Sequence, residues 1–135
     1  MQNSEHEEKL KIIFQEIARI FKLRGFTFKT MCRQVDATGK GTLNLKKSYT
    51  LAHTNLKTKT ITIDIYTPRH RRPKSIKSIL NILAHEIAHH QKLPYRQLYR
   101  GKWIVRQHYP AFYKQCNKNY KKMLKNKILK NYLTN

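Results

Sequence analysis

The run NILAHEIAHHQ, residues 81–91, holds His85, Glu86 and His89 in the pattern H-E-x-x-H. On a helix, side chains four residues apart lie one above the other on the same face. Two imidazoles at that spacing can share one metal ion. A carboxylate one residue further round misses the ion yet reaches a water bound to it. Two zinc ligands and a general base are the parts of a hydrolytic metal site. The bland alternative is a histidine-rich helix end that matches by chance in a chain with 7 His.

A catalytic zinc takes three protein ligands and keeps one position open. His53, His70, His90 and His108 are the candidates for the third. His90 follows His89 and points about 100° away round the helix, which suits packing better than ligation. His70 stands among Arg69, Arg71 and Arg72, where like charge disfavours a cation. His53 is expected on a strand end bordering the cleft. His108, in RQHYPAFYKQ, is the expected ligand, because a chain that turns after His89 and returns along the metal helix brings it close.

These residues need a frame. NSEHEEKLKIIFQEIARIFKLRG predicts a first helix, opened by a Ser4–Glu7 capping box and closed by Gly25, with Leu10, Ile13, Phe14, Ile17, Ile20 and Phe21 at helical spacing. Its acidic first turn complements the helix dipole. FTFKTMCRQV, TLNLKKSYTLAH and KTITIDIYT predict three strands separated by the turns DATGKG and TNLKT. In the third, Ile61, Ile63 and Ile65 alternate with Thr60, Thr62, Asp64 and Tyr66, so a small, mostly antiparallel sheet with one buried face is expected. That third strand is also a candidate edge for an extended peptide.

After the basic loop TPRHRRPKS, Pro73 or Ser75 opens the metal-binding helix, whose apolar stripe is Ile76, Ile79, Leu80, Leu83 and Ile87. PYRQLYRGKWIVRQ reads as a connecting segment with at most a short helical turn. Pro110 suits the first position of a C-terminal helix lined by Phe112, Cys116, Tyr120 and Met123. The fold class is therefore α+β, in one domain over residues 1–135. Cys32 and Cys116 form no C-x-x-C pair and read as reduced, partly buried thiols.

Charge separates the function classes. The 29 Lys and Arg outnumber 7 acids, for a net +22, and three of those acids precede the first lysine. Such a field draws in polyanions. The apolar runs are too short to span a membrane, and the polar, acidic N-terminus lacks the features of a signal peptide. A cytoplasmic, nucleoid- or DNA-associated protein is expected, with a monomer favoured. The cations group near the metal pattern. Arg69, Arg71, Arg72 and Lys74 lead into it, and Arg96, Arg100, Lys102 and Arg106 follow it, mixed with Tyr95, Tyr99 and Trp103. Cations beside aromatic faces are the composition of a single-strand binder. A solvated loop whose aromatics cap the core, Trp103 above all, has equal standing.

HEIAHH followed downstream by HYPAFY resembles the SprT-like (Spartan-type) zinc metallopeptidases and related zincins. In those families a third histidine follows H-E-x-x-H and an aromatic stands four positions on, as His108 and Phe112 do here. The order helix, small sheet, metal helix, final helix is similar too, so the resemblance covers nearly the whole chain. Tyr109 departs from it, standing where Gly or Ser is usual. The resemblance implies a zincin-like minimal metallopeptidase domain with Zn²⁺ on His85, His89 and His108 and Glu86 as the catalytic base. It also implies a protein or peptide substrate, bound or crosslinked to DNA. Two alternatives stand beside it. One is a basic nucleic-acid-binding protein without peptidase activity, and the other a regulatory H-E-x-x-H peptidase that cleaves a specific repressor.

Overall fold

The computed structural model describes residues 4–31, 51–67 and 70–133. Arg69, Cys32 and the DATGKG turn lie outside them, as do parts of the first two expected strands. Helix α1 (Ser4–Ile20) buries Leu10, Ile13, Phe14 and Ile17 along one stripe. It ends earlier than expected. Lys22, at φ 54°, takes the left-handed position, while Leu23 N donates to Ala18 O and Lys22 N to Arg19 O. That is a Schellman ending with lysine where glycine is usual. Gly25, at φ 75°, serves the next turn instead.

Strands β1 (Thr27–Thr30), β2 (Ala52–Asn55) and β3 (Thr60–Ile63) form one sheet in the order β1-β3-β2. β2 and β3 are antiparallel, but β1 runs parallel to β3, so the sheet is mixed. A tight loop joins β2 to β3. In it Asn55 Oδ1 accepts from Lys57 N and Thr58 N, and Lys59 turns at φ 55°. An antiparallel neighbour follows from so short a loop. The chain between β1 and β2 is long enough for the crossover that a parallel neighbour requires. β3 is consequently central, with Ile61 and Ile63 fully buried, and cannot offer an edge over this span. Among the described residues the edge beside the metal helix belongs to β2.

Past β3 the chain is tied back on itself. Arg71 makes a two-pronged ion pair with the buried Asp64 carboxylate, at 2.9 and 3.1 Å. Lys74 Nζ donates to Asp64 O at 2.6 Å, and His6 Nε2 donates to Ile65 O at 2.9 Å. Arg71 and Lys74 are therefore buried clamps that aim the chain into the next helix. Two of the cations expected from composition to meet phosphate are thus engaged within the fold.

Helix α2 (Ile76–Gln91) is capped by Ser75, whose Oγ accepts from Ser78 N, and buries Ile79, Leu80, Leu83 and Ile87. A hairpin follows, β4 (Tyr95–Tyr99) and β5 (Lys102–Arg106), where a connecting segment was expected. Arg100 and Gly101 make its two-residue turn with φ 51° and 78°, the backbone of a type I′ hairpin. α3 (Pro110–Lys125) packs along α2, and α4 (Lys127–Leu133) adds Leu129 to the core. Asn126 joins the two helices. Its N–H donates to Met123 O, its Oδ1 accepts from Leu129 N, and its Nδ2 donates to Glu16 of α1. The fold is α+β with a small mixed sheet. No helix of the described residues is long and apolar enough to cross a membrane.

Candidate metal centre

Helical geometry sets the first two imidazoles. His85 and His89 project from one face of α2 with ring centroids 4.9 Å apart. The third comes from the turn before α3, where Tyr109 is the N-cap and Pro110 opens the helix. His108 there lies 5.1 Å from the His85 ring and 5.0 Å from that of His89. One ligand nitrogen from each residue falls within 4.8 Å of the other two.

Two contacts hold His108 in this place. The Tyr109 hydroxyl donates to Leu93 O at 2.9 Å, tying the start of α3 to the chain just beyond α2. Phe112, one turn further on, is fully buried and packs against all three imidazoles at 4.9, 4.5 and 5.1 Å. Tyr109 thus supplies a tie that Gly or Ser could not. Asn119 adds a second tie between α3 and α2. It is buried, and its Nδ2 donates to Ala84 O and to Gln91 Oε1. Its only signal in the sequence is position, two turns after Phe112 on the same stripe.

Burial, then the neighbouring imidazoles of His85, His108 and His90, hold His89 down at about 4. Burial and His108 lower His85 as well. Both are therefore neutral near pH 7, the form in which imidazole binds a metal. Burial also pushes the Glu86 carboxyl up to about 7. Glu86, 7 % exposed, stands between two hollows. One, of about 340 Å³, opens past His53, Thr54, His89 and His108. The other, of about 650 Å³, is walled by Tyr113, Cys116, Asn81 and Ile82. His85 Nδ1 faces Cys116 Sγ across 4.0 Å, and that cysteine is a free thiol.

The other histidines take separate places. His53 borders the cleft without joining the cluster. His90 is turned away, edge-on to Phe26 and hydrogen-bonded to Thr54. His70 is exposed. Of the cations read as nucleic-acid contacts, Arg72, Arg96, Arg100 and Lys102 are exposed and Arg106 half-buried, whereas Arg71 and Lys74 are committed to Asp64. Trp103 is 68 % exposed on the hairpin, which overturns its expected place in the core.

The α+β fold thus presents three converging imidazoles that can hold a metal ion. Comparisons with protein-family models, with curated proteins and with solved structures find no match to the chain.

Proposed function

We propose that this chain is a zinc-dependent endopeptidase of the SprT-like, zincin type, acting on proteins that sit on or are attached to nucleic acid. The observation that carries the reading is the convergence of His85, His89 and His108 with a buried Glu86 beside them in an open cleft. An all-imidazole set with room for a fourth ligand suits zinc at a catalytic site. The three nitrogens, all within 4.8 Å of one another, would close to bonds of about 2 Å by side-chain rotation. With His85 Nδ1 turned to Cys116, its Nε2 is the nitrogen left for the ion.

Bound zinc supplies a Lewis acid and a water acidified towards neutrality. Glu86 would take the water proton and pass it to the leaving amine, a role that suits a carboxylate buried beside the three imidazoles and facing the cleft. Tyr113 lines the same wall as His85 and Glu86 and is the candidate for stabilising the developing oxyanion. Tyr109, by contrast, spends its hydroxyl on Leu93. The β2 edge, with Ala52 to Thr54 along the cleft, replaces β3 as the strand that an extended substrate pairs with. The net charge of +22 favours substrates held near a polyanion.

The test is zinc per chain in wild type, His108→Ala and Glu86→Gln, with hydrolysis of an unfolded protein followed in parallel. Near one zinc in wild type and Glu86→Gln, loss in His108→Ala, and hydrolysis by wild type alone are expected. Zinc-free wild type purified without chelators would leave a basic nucleic-acid-binding protein. Hydrolysis confined to one protein and indifferent to DNA would favour the regulatory peptidase.

A further inference from the structure

The β4–β5 hairpin is built unlike the rest of the molecule. Its two strands pack chiefly on each other. It is tied to the body at its base, where Tyr109 bonds Leu93 O and stacks edge-on against Tyr95 at 5.0 Å. A lone two-stranded ribbon is marginal in water unless something covers a face. Here nothing among the described residues does. Cross-strand register puts Leu98 opposite Trp103 and Arg96 opposite Val105, so these four share one face. On it Leu98, Trp103 and Val105 are 58, 68 and 59 % exposed. The other face carries Tyr95 and Tyr99 with Lys102 and Arg106 opposite them. Arg100 and Arg106 lie over the Tyr99 ring at 5.2 and 5.7 Å.

We infer that this hairpin is a binding finger for single-stranded nucleic acid, with Trp103 as a base-stacking platform. The inference deepens the proposed function and rests on the nucleic-acid half of that reading. Charge complementarity selects the occupant. No acidic residue follows Glu86 in the chain, so nothing on the hairpin or on the helices after it repels phosphate. The same charge opposes pairing with a second copy. The cations lie on both faces and at the turn: Arg96 beside Trp103, Lys102 and Arg106 behind, Arg100 at the tip. A flat anionic bilayer meets one face of a ribbon. A flexible chain of phosphates can follow both, and its unpaired bases offer free faces to Trp103. In sequence the ribbon joins His89 to His108, and Pro94 and Gln107 at its base line the cleft, so a strand held on the ribbon keeps its bound protein near that cleft.

Trp103 is the chain's 1 tryptophan, so intrinsic fluorescence reports from the finger itself. Full-length protein is titrated with oligothymidylate, with a duplex of equal length and with phosphatidylglycerol vesicles. Expected is saturable quenching by oligothymidylate, reversed by salt, with much less quenching by duplex and no blue shift with vesicles. Binding measured by anisotropy of a labelled oligonucleotide should weaken about 5- to 100-fold in Trp103→Ala. Trp103→Phe, which keeps a ring, should restore most of it. Oligonucleotide binding without quenching, and equal in both variants, would overturn the inference and move the contact to lysines elsewhere, such as those of α3. A blue shift with vesicles alone would assign the face to a lipid surface, and emission that depends on protein concentration would assign it to a second copy. Either overturns the proposal. The titration needs neither zinc nor hydrolysis, so failure of the peptidase reading and failure of the finger are seen separately.

Discussion

Replacing Phe112 should loosen the metal centre more than its cost in stability explains. The ring is fully buried and packs against all three imidazoles. Truncation to Ala removes a large core side chain and costs about 3–5 kcal/mol. For 135 residues, with about 3–4 °C per kcal/mol, that lowers Tm by about 9–20 °C. It also removes the wall that fixes three ring orientations. Loss of such supporting contacts lowers metal affinity about 10- to 100-fold. Zinc affinity is measured by competition with a chromophoric chelator, and stability by thermal unfolding in excess chelator. Ile17→Ala, a fully buried α1 position away from the histidines, is the control for general loosening, at about 2–5 kcal/mol. If Phe112→Ala leaves affinity unchanged, or Ile17→Ala lowers it equally, the ring only fills space and the reasoning fails.

Two further perturbations probe the frame. Hydrogen bonding to Arg19, helped by Asn126 and the Arg19 charge and opposed by burial, holds the Glu16 carboxyl at about 2 against an ordinary 4.5. A depressed carboxylate stabilises the fold above its unfolded pKa. Its contribution is therefore whole above pH 4.5 and lost as pH falls towards 2. Arg19 is 68 % exposed, so solvent screens the pair and the contribution is small. Urea unfolding of wild type and Glu16→Gln should differ at pH 7, with the gap narrowing steadily as pH falls below 4.5 towards 2, and a constant gap would refute the assignment. Arg71→Ala strips the two-pronged partner from buried Asp64 and should cost about 3 kcal/mol. Oligonucleotide affinity should hold in that variant. The reverse pattern, full stability with weakened binding, would return Arg71 to the phosphate contacts.

What was legible in the sequence is what short-range periodicity controls. The stripes of α1 and α2 and the shared face of His85 and His89 follow from 3.6 residues per turn, with no knowledge of the rest of the chain. Helix starts at Ser75 and Pro110 were legible too, because cap chemistry is local. The hairpin was not. Type I′ turns favour Asn-Gly or Asp-Gly, and Arg-Gly gives no such signal. Whether its aromatics cap the core or face solvent stayed open, because composition is blind to exposure. Of Arg71 and Lys74, composition reports only charge, and only the fold brings them against Asp64.

By itself the sequence determined the helix that carries His85, Glu86 and His89, the net charge and the α+β class, since each depends on residues near one another in the chain. Tertiary structure alone decided that β1 joins β3 in parallel, that β2 borders the cleft and that Trp103 stands in solvent. It also decided that His108, not His53 or His90, completes the cluster. Those outcomes rest on contacts between segments far apart in the chain. Packing fixes them collectively: α3 lies against α2 through Phe112 and Asn119, and His108 arrives because that interface holds.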